Sequence, residues 1–201
     1  MTFRIAFTLS PLLPLLATLP ALAQDAAADD LIAALQEGGH VVYIRHAQTE
    51  ADYADQVTAD PLNCATQRVL SRTGWQQAQH IGAMFDAHAI PVGDVIASQY
   101  CRAWQTASLA FGTYSENAAL NFEPAEDYTD AQFEAMRTRV EPLIAAPLAD
   151  GANRVIVGHD DPFEAVAGIY PEPQGVAYVL QVVDGQIVVL GSIAPDAWPQ
   201  P

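Results

Sequence analysis

Apolar and polar positions follow two periods along this chain. Three short β-branched runs, at 40–44, 92–97 and 154–158, read as buried strands. Between them the period lengthens to that of helices. Residues 29–37 carry Leu31, Ile32 and Leu35 on one face and stop at Gly38-Gly39. A second helix is capped by Ser71 or Thr73, runs to about His88, and turns Ile81, Met84 and Phe85 inward. Helices are also predicted at 100–111 and 129–146, the latter bent near Pro142, with another after His159. A short strand is predicted at 119–122. Asp184-Gly185 between apolar runs at 176–183 and 186–190 marks a hairpin. The alternation predicts an α/β fold: a three-layer, mostly parallel sheet with helices on both faces.

Two stretches fall outside this pattern. Residues 47–70 are polar and turn-rich, with a bend at Asp60-Pro61; a loop this long in a compact domain is usually functional. The tail from Pro195 is proline-rich and reads as surface chain. The N-terminus has a third character. Arg4 precedes a proline-broken apolar run that ends in Ala21-Leu22-Ala23, the pattern of a cleaved export leader. The expectation is a signal peptide at 1–23 and one folded domain at 24–201, soluble after cleavage and periplasmic or secreted. The run is short for a membrane span.

Charge narrows the function. The 201 residues hold 24 acids and 8 basic residues, a formal charge of −16, and all the basic residues are Arg. Such a chain repels nucleic acid and anionic lipid. Two cysteines rule out a disulfide scaffold. In an oxidising compartment Cys64 and Cys101 can pair, which stabilises by about 3–4 kcal/mol in the chain-entropy model; two buried free thiols are the alternative.

Ligands of parallel sheets bind beyond the carboxyl ends of strands. Arg45-His46 and His159-Asp160 fall at two such ends, and the segment after Ala97 leads to Arg102. Two guanidiniums beside two imidazoles, in so acidic a chain, predict an anion site. Neutral imidazole is a competent nucleophile toward phosphorus, Arg and His neutralise the equatorial oxygens, and a carboxylic acid protonates the leaving oxygen. A metal site is disfavoured: there is no His-x-x-x-His or Cys-x-x-Cys spacing, and the arginines repel a cation. Gln48, Thr49 and Arg68 are candidates for the rim, with a loop salt bridge as the other reading of Arg68. Asp52, Asp55 and Asp60 read as solvated loop charges, His40 and His88 as structural, His80 as solvated and Trp104 as core. Asp160-Asp161 has a second reading, as a helix N-cap.

Four motifs resemble the histidine phosphatase (phosphoglycerate mutase-like) superfamily. Arg45-His46-Ala47 resembles its Arg-His-Gly. Leu70-Ser71-Arg72-Thr73-Gly74-Trp75-Gln76-Gln77-Ala78 resembles its Leu-Ser/Thr-x-x-Gly-x-x-Gln-Ala. Ser98-Gln99-Tyr100-Cys101-Arg102-Ala103 resembles Ser-Pro-x-x-Arg-Ala, and Val155-Ile156-Val157-Gly158-His159 the strand of the second histidine. The resemblance, over about residues 40–165, implies a phosphohistidine on His46, a phosphate pocket of Arg45, Arg102 and His159, no cofactor and no metal. The implied substrate is a small phosphorylated molecule, and export favours a phosphomonoesterase acting on an envelope phosphosugar over a mutase. The proton donor stays open between Asp160, Glu123 or Glu126, and no dedicated acid. Ala47 departs from the glycine of the motif and is strained if that position requires a positive φ. A non-catalytic phosphate- or phosphosugar-binding member of the fold is the alternative.

Overall fold

The computed structural model describes residues 27–52, 55, 59–123 and 128–201. The predicted leader at 1–23 and the candidate acid Glu126 lie outside the described residues. The elements are α1 (Ala28–Glu37), β1 (Val41–Arg45), α2 (Arg72–Ala87), β2 (Val92–Ala97), α3 (Cys101–Phe111), β3 (Ser115–Glu116), α4 (Asp130–Ala145), β4 (Asn153–Gly158), α5 (Asp160–Ala167), β5 (Ala177–Val183) and β6 (Gln186–Ile193).

The six strands form one sheet in the order β3-β2-β4-β1-β5-β6. Alternate residues of β1 enter opposite cores. Val42 and Ile44 join Leu31, Leu35, Ile81, Phe85 and Ala107, so α1, α2 and α3 cover one face. Val41 and Tyr43 join Val140, Ile144 and Phe163, so α4 and α5 cover the other. This is the expected three-layer, mostly parallel α/β arrangement with the expected hairpin at its end, and two details differ, at residues 118–122 and in the tail.

The sheet is mixed: β3, β2, β4 and β1 run parallel, but β5 and β6 pair antiparallel. The hairpin turn at Asp184-Gly185, both residues at positive φ, reverses the chain without a crossover helix. The predicted strand at 119–122 is instead a 3-10 turn at Ala118–Leu120, capped by the Asn117 side chain, and it buries Leu120. The edge strand lies just before it, at Ser115–Glu116. The tail does not simply cross the surface, because Trp198 is buried with its ring 5.5 Å from that of Phe85.

Candidate active site

Register builds the centre. Arg45 pairs with Gly158 across β1 and β4, and Ala97 pairs with Val157 across β2 and β4. Three chains therefore leave the sheet at one level. His46 N donates to Gly158 O at 2.9 Å and Ser98 N to Val157 O at 2.9 Å. His46, Ser98 and His159 emerge together at the carboxyl edge. Gly158 is required here: a Cβ would lie 2.2 Å from Tyr43 Oη. That hydroxyl donates to His159 O at 2.9 Å and accepts from His159 N at 3.1 Å, which locks the backbone of the second histidine.

The imidazoles of His46 and His159 are fully buried, their rings 5.4 Å apart. The Ala47 carbonyl only accepts, so His46 Nδ1, 2.9 Å away, carries the proton. Nε2 then holds the lone pair and accepts from Arg102 Nε at 3.1 Å. Burial, and after it Arg102, hold the His46 pKa well below the usual imidazole range. Burial and Arg102 do the same at His159, so both rings are neutral near pH 7. His159 Nε2 lies 2.9 Å from Ser98 Oγ, whose proton goes to Asn121 Oδ1 at 2.8 Å. The serine oxygen therefore accepts from Nε2–H. His159 Nδ1 is buried without a partner among the described residues, as are Arg45 Nε and Arg68 Nε.

Each buried guanidinium has a carboxylate. Arg45 Nη2 pairs with Asp160 Oδ2 at 2.5 Å and Nη1 donates to Pro171 O at 2.8 Å. Tyr170 lies 5.3 Å from the Arg45 guanidinium and donates its hydroxyl to the same Asp160 oxygen. Arg102 Nη1 pairs with Asp55 at 3.0 Å, and the aromatic faces of Tyr100 and Phe122 flank it. Asp55 was expected to be solvated. It is instead bound to Arg102 and accepts from the Arg68 amide at 2.7 Å, so its loop reaches over the centre. Cys64 and Cys101 are bonded, with Cα atoms 5.6 Å apart, and Cys101 N donates to Gln67 Oε1 at 2.7 Å. Both contacts tie that loop to the first turn of the helix that carries Arg102.

The helix-start motif also has a local reason. Ser71 caps α2, accepting from Gly74 N. A Cβ on Gly74 would lie 1.9 Å from Gln48 O, so only glycine lets α2 press on the chain leaving His46. Gln77 Oε1 accepts from Gln48 N at 2.8 Å, and Ala78 is fully buried. Ala47 is not among the non-glycine residues at positive φ, which are Ala89 and Asp184, so the motif position tolerates its methyl without backbone strain. Its amide donates to Thr106 Oγ1 at 3.0 Å.

His46, Arg45, Arg102, His159 and Asp160 thus come together, with Arg68 close enough for its charge to bear on both imidazoles. Thr49 is buried, its amide bound by Gln174, and Gln48 lines an adjoining cleft. Glu123 pairs with Arg139. Asp161 accepts from the Tyr128 hydroxyl at 3.1 Å, and burial, with Asp160 beside it, pushes its carboxyl up to about 6. Ser98 lay inside a recognised motif, yet its link to His159 needs the sheet register. Asp55 and Phe122 carry no sequence signal at all. Among the described residues no group of three or more His, Cys, Asp or Glu could hold a metal ion.

No family sequence model and no curated protein matches the chain by sequence. Solved structures do match it. The protein histidine phosphatase SixA complexed with tungstate aligns with a TM-score of 0.56 at 15% identity, over 78% of this chain and 97% of that one. The mycobacterial glucosyl-3-phosphoglycerate phosphatase, in complex with VO3, aligns with a TM-score of 0.57 at 16% identity, over 76% and 97%. Phosphoserine phosphatase from Entamoeba histolytica, in complex with 3-phosphoglyceric acid, gives a TM-score of 0.57 at 14% identity, over 80% and 99%. The chain has the histidine phosphatase, phosphoglycerate mutase-like fold. In this chain three of the four sequence motifs lie at or just beyond the carboxyl ends of β1, β2 and β4 and bring Arg45, His46, Arg102 and His159 together, while the fourth opens α2.

Proposed function

We propose that the protein hydrolyses phosphomonoesters through a phosphohistidine on His46. One observation carries this reading: His46 Nε2 is a free-base nitrogen held by Arg102 Nε, inside a buried cluster with Arg45 and His159. In the first step the Nε2 lone pair forms a bond to phosphorus and the bond to the leaving oxygen breaks. Arg45 and Arg102 meet the charge on the equatorial oxygens, and the entering dianion favours a proton on His159 Nδ1, which then donates to it. The leaving oxygen takes its proton from water, or from Asp160 once the entering phosphoryl group has displaced it from Arg45 and it has taken up a proton. A water molecule then attacks phosphorus, the N–P bond breaks, phosphate leaves and neutral His46 returns. The charge is met by protein cations, so the reading requires no metal or cofactor.

From the expected leader at 1–23 we infer work in the periplasm or outside the cell, a reading that the Cys64–Cys101 bond supports as fitting an oxidising compartment. With that address we infer an envelope phosphosugar as substrate. A second reading, a non-catalytic phosphate or phosphosugar binder, draws on one feature. The described candidate acids are engaged elsewhere, Asp160 by Arg45 and Tyr170, Glu123 by Arg139. Hydrolysis of p-nitrophenyl phosphate by the mature protein, from about pH 4 to about pH 8, decides between them. Turnover that His46→Ala abolishes supports the enzyme; an inert protein that phosphate still stabilises against heat supports the binder.

A further inference from the structure

Beside the phosphate centre lies a cleft of about 790 Å³. The centre sits over the carboxyl ends of β2, β4 and β1. The cleft continues along the same edge toward β5 and β6, between α2, the segment before β5 and the segment after β6. Arg45 borders both. Three amide contacts pin its walls. Gln77 Oε1 accepts from Gln48 N at 2.8 Å, Gln77 Nε2 donates to Gln174 O at 3.1 Å, and Gln174 Oε1 accepts from Thr49 N at 3.0 Å. Gly175 lets these walls close: its φ is +86°, and a Cβ there would lie 2.6 Å from the Gln77 carboxamide. The cleft is therefore a shaped feature rather than a gap between loops.

Its chemistry is specific. Gln48, Thr73 and Gln76 line it and are exposed, offering neutral donors and acceptors, and the exposed His80 lines it beside them. Glu172 and Asp196 line it too, while among the described lining residues Arg45 is the one fixed cation and already faces Asp160. No Phe, Tyr or Trp ring lies among the described lining residues to stack a nucleobase. We propose that this cleft holds the leaving group of the substrate, and that the leaving group is a neutral, hydroxyl-rich sugar or polyol. Amides and a hydroxyl pair with both the donor and the acceptor of each sugar hydroxyl. A leaving group with its own carboxylate meets Glu172 and Asp196 with no cation left to offset it. The inference rests on the phosphatase reading and adds to it the residues that select the ester.

The test compares kcat/KM for a panel of hexose and heptose monophosphates, 3-phosphoglycerate and p-nitrophenyl phosphate. The best sugar phosphate is expected to exceed 3-phosphoglycerate by at least about tenfold, since each mispaired polar contact costs roughly a kcal/mol. Glu172→Gln with Asp196→Asn should narrow that gap. Gln76→Ala with His80→Ala, both on the exposed face of α2, should lower the sugar-to-aryl ratio by about tenfold. Equal use of 3-phosphoglycerate and the best sugar phosphate, or a ratio unmoved by the double variant, overturns the proposal while aryl turnover leaves the phosphatase reading intact. If the wild type hydrolyses no ester, that reading fails instead and calorimetry judges the cleft. Sugar phosphates that bind no tighter than inorganic phosphate overturn it; tighter binding lost in the double variant sustains it.

Discussion

Ser98→Ala removes one oxygen that serves three groups. Ser98 Oγ accepts from His159 Nε2–H at 2.9 Å and from Tyr100 N at 3.2 Å, and it donates to Asn121 Oδ1 at 2.8 Å. The asparagine oxygen keeps a donor in Gln99 N, 3.1 Å away. The other two are left bare. His159 is fully buried and its Nδ1 is already unpartnered among the described residues, so the variant leaves a buried imidazole with no hydrogen bond to them from either nitrogen. A buried donor that loses its partner costs about 1–3 kcal/mol, and the Tyr100 amide adds a second, partly relieved by local shift. The expected loss is about 2–4 kcal/mol, read by urea unfolding of the mature protein. Activity should fall with it, in kcat more than in KM, by about 10- to 100-fold. Ser98 holds the tautomer and aim of His159 without touching substrate, and such misplacement acts mainly on the transition state. Ser98→Thr keeps the oxygen and should recover most of the rate. A Ser98→Ala protein within about 0.5 kcal/mol of wild type, turning over at the wild-type rate, would refute the network.

Three further outcomes are expected. Asp55→Asn exchanges a carboxylate on Arg102 for a neutral amide, so orthovanadate or phosphate should bind about tenfold more tightly by inhibition or calorimetry; unchanged or weaker binding would show that Asp55 does not compete for that guanidinium. Replacing both Cys64 and Cys101 by Ser opens a cross-link spanning 37 positions and should cost about 4 kcal/mol, or roughly 8–16 °C in Tm; a loss under about 1 kcal/mol would mean the unfolded loop is already constrained. The Asp161 carboxyl rises from 3.8 to about 6 in the fold, so between those values the native state binds the extra proton and stability drops as pH rises through the window. Asp161→Asn, which keeps an acceptor for Tyr128, should therefore raise Tm near neutral pH and lose that advantage by about pH 4; a scan showing no neutral-pH gain would contradict the burial argument.

The periodicity made the layers legible because the central strands β1 and β4 bury both faces and each helix buries one. β1 shows this: all five residues are buried, Val41 to Ile44 alternate between two cores, and Arg45 ends the strand in the site. It could not show strand direction. Nothing in the run at 177–183 distinguishes a parallel from an antiparallel partner for β1, and the hairpin turn after it fixes only its pairing with β6. The turn at Ala118–Leu120 misled for a local reason: apolar residues plug a core from a turn as readily as from a strand, and Asn117 decides for the turn by capping it. At the site, residues within motifs were readable, since the chemistry needs His and Arg at strand ends. Residues that act on them from a distance in sequence were not. Asp55 sits 47 positions from Arg102 and Asn121 sits 23 from Ser98, separations that only the folded sheet closes.

The acidity of the chain and the presence of an anion site are consistent once the ion pairs are followed. Arg154 is held by Asp94 and by carbonyls at the end of α4, and Arg139 by Glu123 and the Asn121 carbonyl. Those arginines stabilise the frame. Arg45 and Arg102 are buried beside the imidazoles, where an unpaired guanidinium would cost several kcal/mol. Asp160 and Asp55 supply the counter-charge from within the chain. A phosphoryl group therefore enters by exchange, trading carboxylate contacts for its own oxygens, rather than by filling a bare positive hole. Exchange lowers the affinity for free phosphate, which favours product release. It also transfers discrimination to the part of the substrate that meets no counter-ion. That part lies over β5 and β6, where the amide-lined cleft begins at Arg45. On this argument specificity and phosphate affinity are set by different residues, and variants of Gln76 or His80 should change which ester is chosen without changing how tightly inorganic phosphate is held.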